Sequence, residues 1–136
     1  MTTEAYIDGG SRGNPGPAGA GAYFPGLVGI AEYLGHQTNN FAEYSALIIA
    51  VRFAVERRVE QLKIYSDSEL VVKQIQGVYK VKNANIRPLY EDAVRWIAQI
   101  PEFSIEHVRR ENNKDADRLA NVAMDAKGNR IEWDSE

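Results

Sequence analysis

Four carboxylates, far apart in the chain, each have neighbours that would set them at the edge of a strand or helix. They are Asp8 in Tyr6-Ile7-Asp8-Gly9-Gly10-Ser11, Glu43 in Thr38-Asn39-Asn40-Phe41-Ala42-Glu43, Asp67 in Ile64-Tyr65-Ser66-Asp67-Ser68, and Asp117 in Asn113-Lys114-Asp115-Ala116-Asp117-Arg118-Leu119-Ala120. Brought together, they would make a magnesium site. Magnesium favours hard oxygen ligands and retains several waters, so Asp and Glu without Cys or His form a suitable set. Two divalent ions about 3.5 to 4 Å apart can activate a water, neutralise a phosphate and stabilise a leaving oxygen, which together hydrolyse a phosphodiester. One carboxylate must then bridge both ions, a task suited to a strand-end residue on a rigid sheet. Each acid alone also has a structural use: Asp8 can open a glycine-rich turn, Asn40 and Glu43 have capping-box spacing, Asp67 can cap a helix, and Asp117 can favour a helix N-terminus. Their order and their neighbours, taken together, favour the chemical reading.

The elements that must position these acids follow from periodicity. Thr3 to Asp8 alternates as a strand, and Gly9 to Pro17 reads as a turn or loop. Gly19–Phe24 and Val28–Leu34 flank Pro25-Gly26 as a hairpin, which makes the first three strands antiparallel. Tyr44, Leu47, Ile48, Val51 and Val55 follow the helical period, predicting an amphipathic helix from Glu43 to about Arg58. Leu62–Tyr65 is a short strand, and Ser66-Asp67-Ser68 offers caps for a helix that stops at Gly77. Ile86, Leu89, Ala93, Ile97 and Ile100 stripe a further helix ended by Pro101. Phe103, Ile105 and His107 alternate as a last strand, and Ala116, Leu119, Ala120 and Ala123 mark a closing helix stopped at Lys127-Gly128. This order indicates an α/β sheet with helices packed on its faces.

At 136 residues with 44% hydrophobic content, the chain has the size and apolar fraction of one domain with one core. It contains no cysteine, which excludes disulfides, zinc-thiolate sites and thiol nucleophiles. No run of about 18 apolar residues is present and Met1-Thr2-Thr3-Glu4 lacks a basic signal start, so no membrane association and a cytoplasmic location are expected. The net charge of −3 is unfavourable for phosphate backbones, yet Leu70 to Tyr90 holds Lys73, Lys80, Lys82 and Arg87 with no acid. A basic flank beside an acidic centre suits a metal-dependent nuclease.

The set Asp8-Gly9 with Gly13-Asn14-Pro15-Gly16, Thr38-Asn39-Asn40 with Glu43, Ser66-Asp67-Ser68, and Asn113 with Asp117 and Leu119-Ala120 resembles the type 1 ribonuclease H family, its compact bacterial and archaeal branch in particular. The likeness covers about Thr3 to Lys127. It implies a ribonuclease H-like α/β fold: a mixed five-stranded sheet, three antiparallel strands then two parallel, with helices on both faces. A catalytic domain over 1–128 and a polar C-terminal tail over 129–136 would follow. The implied reaction is endonucleolytic cleavage of the RNA strand of RNA/DNA hybrids, leaving 5′-phosphate and 3′-hydroxyl ends. Asp8, Glu43, Asp67 and Asp117 would be both catalytic residues and metal ligands. Asp8 would bridge two Mg²⁺ ions, with Mn²⁺ as a substitute. Asp67 would share the ion that activates water, and Glu43 and Asp117 would help hold the other. The resemblance assigns minor-groove contacts to Asn39 and Asn40 and a DNA-phosphate pocket to Asn14 and Thr38.

Departures from the family pattern lie in two places. The loop Val108-Arg109-Arg110-Glu111-Asn112-Asn113 lacks the His that many relatives carry there, which leaves Arg110 or Glu111 as substitutes; His107 and His36 read as structural. A long basic helix is replaced by Gly77-Val78-Tyr79-Lys80-Val81-Lys82-Asn83, in which Tyr79 can stack on a sugar or base and Lys80 and Lys82 can hold phosphates. Glu69 stands where relatives often have Gln beside the hybrid, and double-stranded RNA stays open as a secondary substrate. Two alternatives stay open: a catalytically weak hybrid-binding module fused to another domain, and a related DNA nuclease, against which Thr38-Asn39-Asn40 argues. A monomer is expected.

Overall fold

In the computed structural model, which describes residues 1–134, strand β1 (Thr3–Ser11) lies inside a mixed sheet, between β4 (Gln61–Ser66) and β2 (Gly16–Phe24). Strands β3 (Val28–Gln37), β5 (Glu102–His107) and β6 (Arg130–Trp133) complete the order β5-β4-β1-β2-β3-β6. β1, β2 and β3 form the antiparallel meander and β4 and β5 run parallel to β1, as the sequence implies. The register sets Asp8 opposite Gly21 and Ile7 opposite Ser66, so the ends of β1 and β4 that carry Asp8 and Asp67 lie together.

Both sheet faces are covered by helices that approach through glycine. Helix α1 (Asn39–Glu56) starts against Gly9, where a Cβ would run into the backbone of Ala42 and stand 2.6 Å from the Glu43 nitrogen. Helix α4 (Lys114–Ala126) crosses the opposite face over Gly21, where a Cβ would lie 2.8 Å from the Ala120 nitrogen. Consecutive strand residues point to opposite faces, so Asp8 shares its face with Gly21 and α4 while Gly9 faces α1. Helices α2 (Glu69–Ile75) and α3 (Arg87–Ile97) complete the domain, and one core joins Ile7, Ala22, Tyr44, Leu47, Val51, Ile64, Val71 and Ile105.

Several boundaries differ from the sequence reading. The segment read as a loop over Gly9–Pro17 is strand at both ends, because Gly9, Gly10 and Ser11 continue the ladder opposite Ala20, Gly19 and Ala18. Glycine is present there for the close approach of a helix. Helix α1 begins four residues before Glu43, and it is central rather than amphipathic: Ala42, Tyr44, Ala46 to Val51 and Ala54 are all buried. Its cap is Thr38, whose Oγ1 accepts from the Phe41 N–H at 3.2 Å, so the Asn40–Glu43 capping box does not form. Helix α3 ends at Ile97 rather than Ile100.

The sheet has six strands rather than five, because Arg130–Trp133 of the expected polar tail pairs antiparallel with β3. Glu132 receives both terminal nitrogens of Arg118, at 2.8 and 3.4 Å, and the Arg57 guanidinium lies over the rings of Phe53 and Trp133. Ser135 and Glu136, also assigned to that tail, lie outside the described residues. Among the described residues no helix is long and apolar enough to cross a membrane.

Candidate active site

Carboxylate oxygens of Asp8, Glu43 and Asp67 lie within 4.8 Å of one another. Each is delivered by a different element: Asp8 by central β1, Glu43 by the second turn of α1, Asp67 by the junction of β4 and α2. Asp117 reaches the same open cleft from the first turn of α4. Asp117 also meets the positive end of α4, but neither Glu43 nor Asp67 is taken up by the capping role available to it. Ser68, not Asp67, caps α2 through its Oγ to the Val71 N–H at 3.3 Å. Glu43 accepts the Gly9 N–H at 2.9 Å, a bond that fixes the α1 carboxylate against the residue following Asp8.

Crowding of like charges in a partly dry cleft has a direct electrostatic result. Burial, then Glu43, Asp67 and Asp117, push the Asp8 carboxyl up from 3.8 to about 9. Burial and Asp67 push Glu43 up from 4.5 to about 8, against the opposing pull of the Gly9 N–H and Arg110. Hard anionic oxygens whose mutual repulsion a divalent cation would relieve fit magnesium or manganese. Cation and protons therefore compete. Metal binding at pH 7 is expected to release protons, with affinity rising about tenfold per pH unit for each proton released until pH passes about 9. Calorimetry in buffers of different ionisation enthalpy measures the release; a pH-independent affinity with no proton release would contradict this electrostatic account.

A second polar pocket abuts the acidic cleft, with Asn39 lining both. Asn14, Thr38, Asn39 and Asn40 do come together there. The Asn39 N–H donates to Asn14 Oδ1 at 2.9 Å, and Asn39 Oδ1 accepts the Ser11 N–H at 2.8 Å, so the β1–β2 loop and the start of α1 are tied into one surface. Asn83 and Asn85, which the sequence reading did not single out, complete that pocket with Ile86. Val81 is buried in the core and anchors the segment that carries them, leaving Tyr79, Lys80 and Lys82 exposed beside it.

The remaining expectations divide. Arg110 lines the acidic cleft, whereas Glu111 is exposed with a carboxylate oxygen 4.0 Å from Arg109 and does not line it. Glu69 is exposed at the start of α2 and lines neither pocket. His36 and His107 are exposed strand-end residues away from both pockets. Arg12 and Asn121 are additional lining residues: Arg12 pairs with Asp125 at 2.7 Å and donates to Asn121 Oδ1 at 3.0 Å, and Asn121 Nδ2 donates to the Asp117 carbonyl at 3.0 Å. Nothing in spacing marks the two Arg12 contacts, because each joins residues more than a hundred positions apart.

Comparison with known proteins finds similar sequences and similar folds. Residues 8–123 match the family model described as reverse transcriptase-like. The chain is 40% identical over 126 residues to a protein named ribonuclease HI of Halobacterium salinarum, covering 89% of this chain and 63% of that one. It is 42% identical over 132 residues to a bifunctional protein of Mycobacterium tuberculosis, covering 93% of this chain and 36% of that one. The chain thus spans roughly a third to two thirds of these curated relatives. Among solved structures, the Halobacterium salinarum RNase H1 superposes with a TM-score of 0.85 at 35% identity, covering 93% of this chain and 99% of that one. LC11-RNase H1, solved in complex with an RNA/DNA hybrid, superposes with a TM-score of 0.83 at 35% identity, covering 92% and 98%.

Proposed function

The chain belongs to the type 1 ribonuclease H family, and from that premise we propose that it hydrolyses the RNA strand of RNA/DNA hybrids, leaving 5′-phosphate and 3′-hydroxyl ends. The observation that carries this reading is the meeting of Asp8, Glu43 and Asp67 within 4.8 Å, in the cleft that Asp117 also lines. A pair of Mg²⁺ ions, or Mn²⁺ in their place, supplies when bound an activated hydroxide and charge neutralisation at the phosphate. Asp8 would be the carboxylate shared between the two, because it is central and buried on a rigid strand. Asp67 would complete the water-activating side, and Glu43 and Asp117 the leaving-group side.

Substrate choice would rest on the adjoining polar pocket. Asn39 and Asn40 offer both donors and acceptors to a minor groove, where the 2′-hydroxyl distinguishes RNA from DNA. Asn14 and Thr38, with Asn83 and Asn85 beside them, would hold a phosphate of the DNA strand. Tyr79, Lys80 and Lys82 would extend the contact along the duplex, supplying the positive charge that the chain lacks on average. In place of the absent loop His, Arg110 faces Glu43 and would attract the phosphate of substrate or departing product. LC11-RNase H1, bound to an RNA/DNA hybrid, supports this assignment of partner. The test is end analysis of a doubly labelled hybrid after incubation with Mg²⁺: internal cuts bearing 5′-phosphate and 3′-hydroxyl are expected, and cyclic or 3′-phosphate ends would overturn the mechanism.

A further inference from the structure

Asn113 is a large polar side chain that the fold buries almost completely, at 1% exposure, and its Oδ1 has no hydrogen-bond partner among the described residues. An orphaned buried acceptor costs about 1 to 3 kcal/mol, so an amide kept in such a place needs a reason other than stability. The other half of the amide supplies one. Asn113 Nδ2 donates to the Ile7 carbonyl at 2.8 Å, and that carbonyl belongs to the peptide bond leading into Asp8. Asn113 also precedes α4 directly, and its own carbonyl accepts the Asp117 N–H at 3.1 Å.

Two hydrogen bonds through one residue therefore join the backbone at Asp8 to the backbone at Asp117, two acids that are 109 positions apart (117 − 8). The packing of α4 fixes how far the helix stands from the sheet, through buried Ala116 over Gly21 at the first turn and Leu119, Ala123 and Ala31 further along, but none of these contacts carries the direction of a hydrogen bond. We propose that Asn113 is a positioning residue that sets the spacing and orientation of Asp117 relative to Asp8, and thereby the affinity of the four-carboxylate site for divalent cations. This rests on the reading of that site as a metal-dependent ribonuclease centre.

The test compares Asn113→Ala and Asn113→Ser with Leu119→Ala, which loosens the same helix from its apolar side, at a temperature where circular dichroism shows all to be folded. Mg²⁺ affinity by calorimetry is expected to weaken about tenfold in Asn113→Ala and less in Asn113→Ser, whose hydroxyl retains a donor. Leu119→Ala should lower the melting temperature more than Asn113→Ala while keeping Mg²⁺ affinity within about twofold of the parent. On hybrid substrate, kcat should fall about ten- to a hundredfold in Asn113→Ala with KM little changed. Unchanged Mg²⁺ affinity in a folded Asn113→Ala protein would overturn the proposal, as would an equal loss in Leu119→Ala. If the parent binds Mg²⁺ but cuts no hybrid, the ribonuclease reading fails, and the calorimetric comparison still decides the role of Asn113.

Discussion

Asp8→Asn is expected to lose hybrid cleavage by about a thousandfold or more, equivalent to about 4 kcal/mol of transition-state stabilisation, while gaining stability in the absence of metal. The loss follows from position: Asp8 is the buried member of the carboxylate triad, and it is held on the inner strand where no neighbouring acid can shift to replace it. The gain follows from charge. With its carboxyl pushed up to about 9 by burial and by Glu43, Asp67 and Asp117, folded Asp8 holds a proton that the unfolded chain releases near 3.8. Folding stability at this group is thus full at low pH and lost as pH rises towards 9. An uncharged amide removes that loss, so the melting temperature of Asp8→Asn should exceed the parent's by more at pH 8 than at pH 4. Near-parental cleavage would remove Asp8 from the mechanism, and a lower melting temperature at pH 8 would show that repulsion is not what burdens the cleft.

Gly9→Ala is the second large effect, and it acts on the backbone. A methyl at Gly9 meets main-chain atoms of Ala42 and Glu43, none of which can rotate away, so β1 and α1 must separate. Overpacking of this kind costs about 3 kcal/mol or more, or about 10 °C in melting temperature for a domain of this size. The same separation stretches the Gly9 N–H bond to Glu43, so activity should fall even where the protein remains folded. Gly10→Ala is the stability control: its Cβ would meet nothing within 4 Å, and its melting temperature should stay within about 2 °C of the parent. Equal stability of the two variants, measured by calorimetric melting, would show that the helix contact at Gly9 is not tight.

These two positions also mark what could be read from the chain and what could not. Asp8, Glu43, Asp67 and Asp117 stand beside short-range patterns, an alternating strand, a helical period and cap residues, so the element that carries or adjoins each was legible; the edges were not, because β1 runs on to Ser11 and α1 starts at Asn39, which sets Asp8 and Glu43 inside their elements. Gly9 was not: in a run containing Gly and Pro it reads as turn, and only the packed helix explains a glycine within a strand. The same holds for Gly21 under α4. The cap of α1 was misplaced by two residues because Thr38 and Asn40 are both competent caps, and tertiary ties from Asn14 and Ser11 to Asn39 go with the earlier start. Strand β6 escaped notice because four residues with mixed polarity carry little periodic signal; its place depends on the β3 edge and on the Arg118–Glu132 pair. Asn83, Asn85, Arg12 and Asn121 join the pockets through contacts across the fold, which no local pattern announces.

Cleavage of four matched duplexes and strands, RNA/DNA, RNA/RNA, DNA/DNA and single-stranded RNA of one sequence, each with Mg²⁺ or Mn²⁺, decides whether the acidic cleft is a hybrid-specific ribonuclease centre. The RNA of the hybrid is expected to be cut first, double-stranded RNA more slowly if at all, and DNA in neither context, with all cutting lost in Asp8→Asn. Binding of the hybrid without cleavage by folded, metal-binding protein would contradict the ribonuclease reading and leave a hybrid-binding module; cutting of DNA/DNA at a rate equal to that of the hybrid would contradict it in favour of a DNA nuclease.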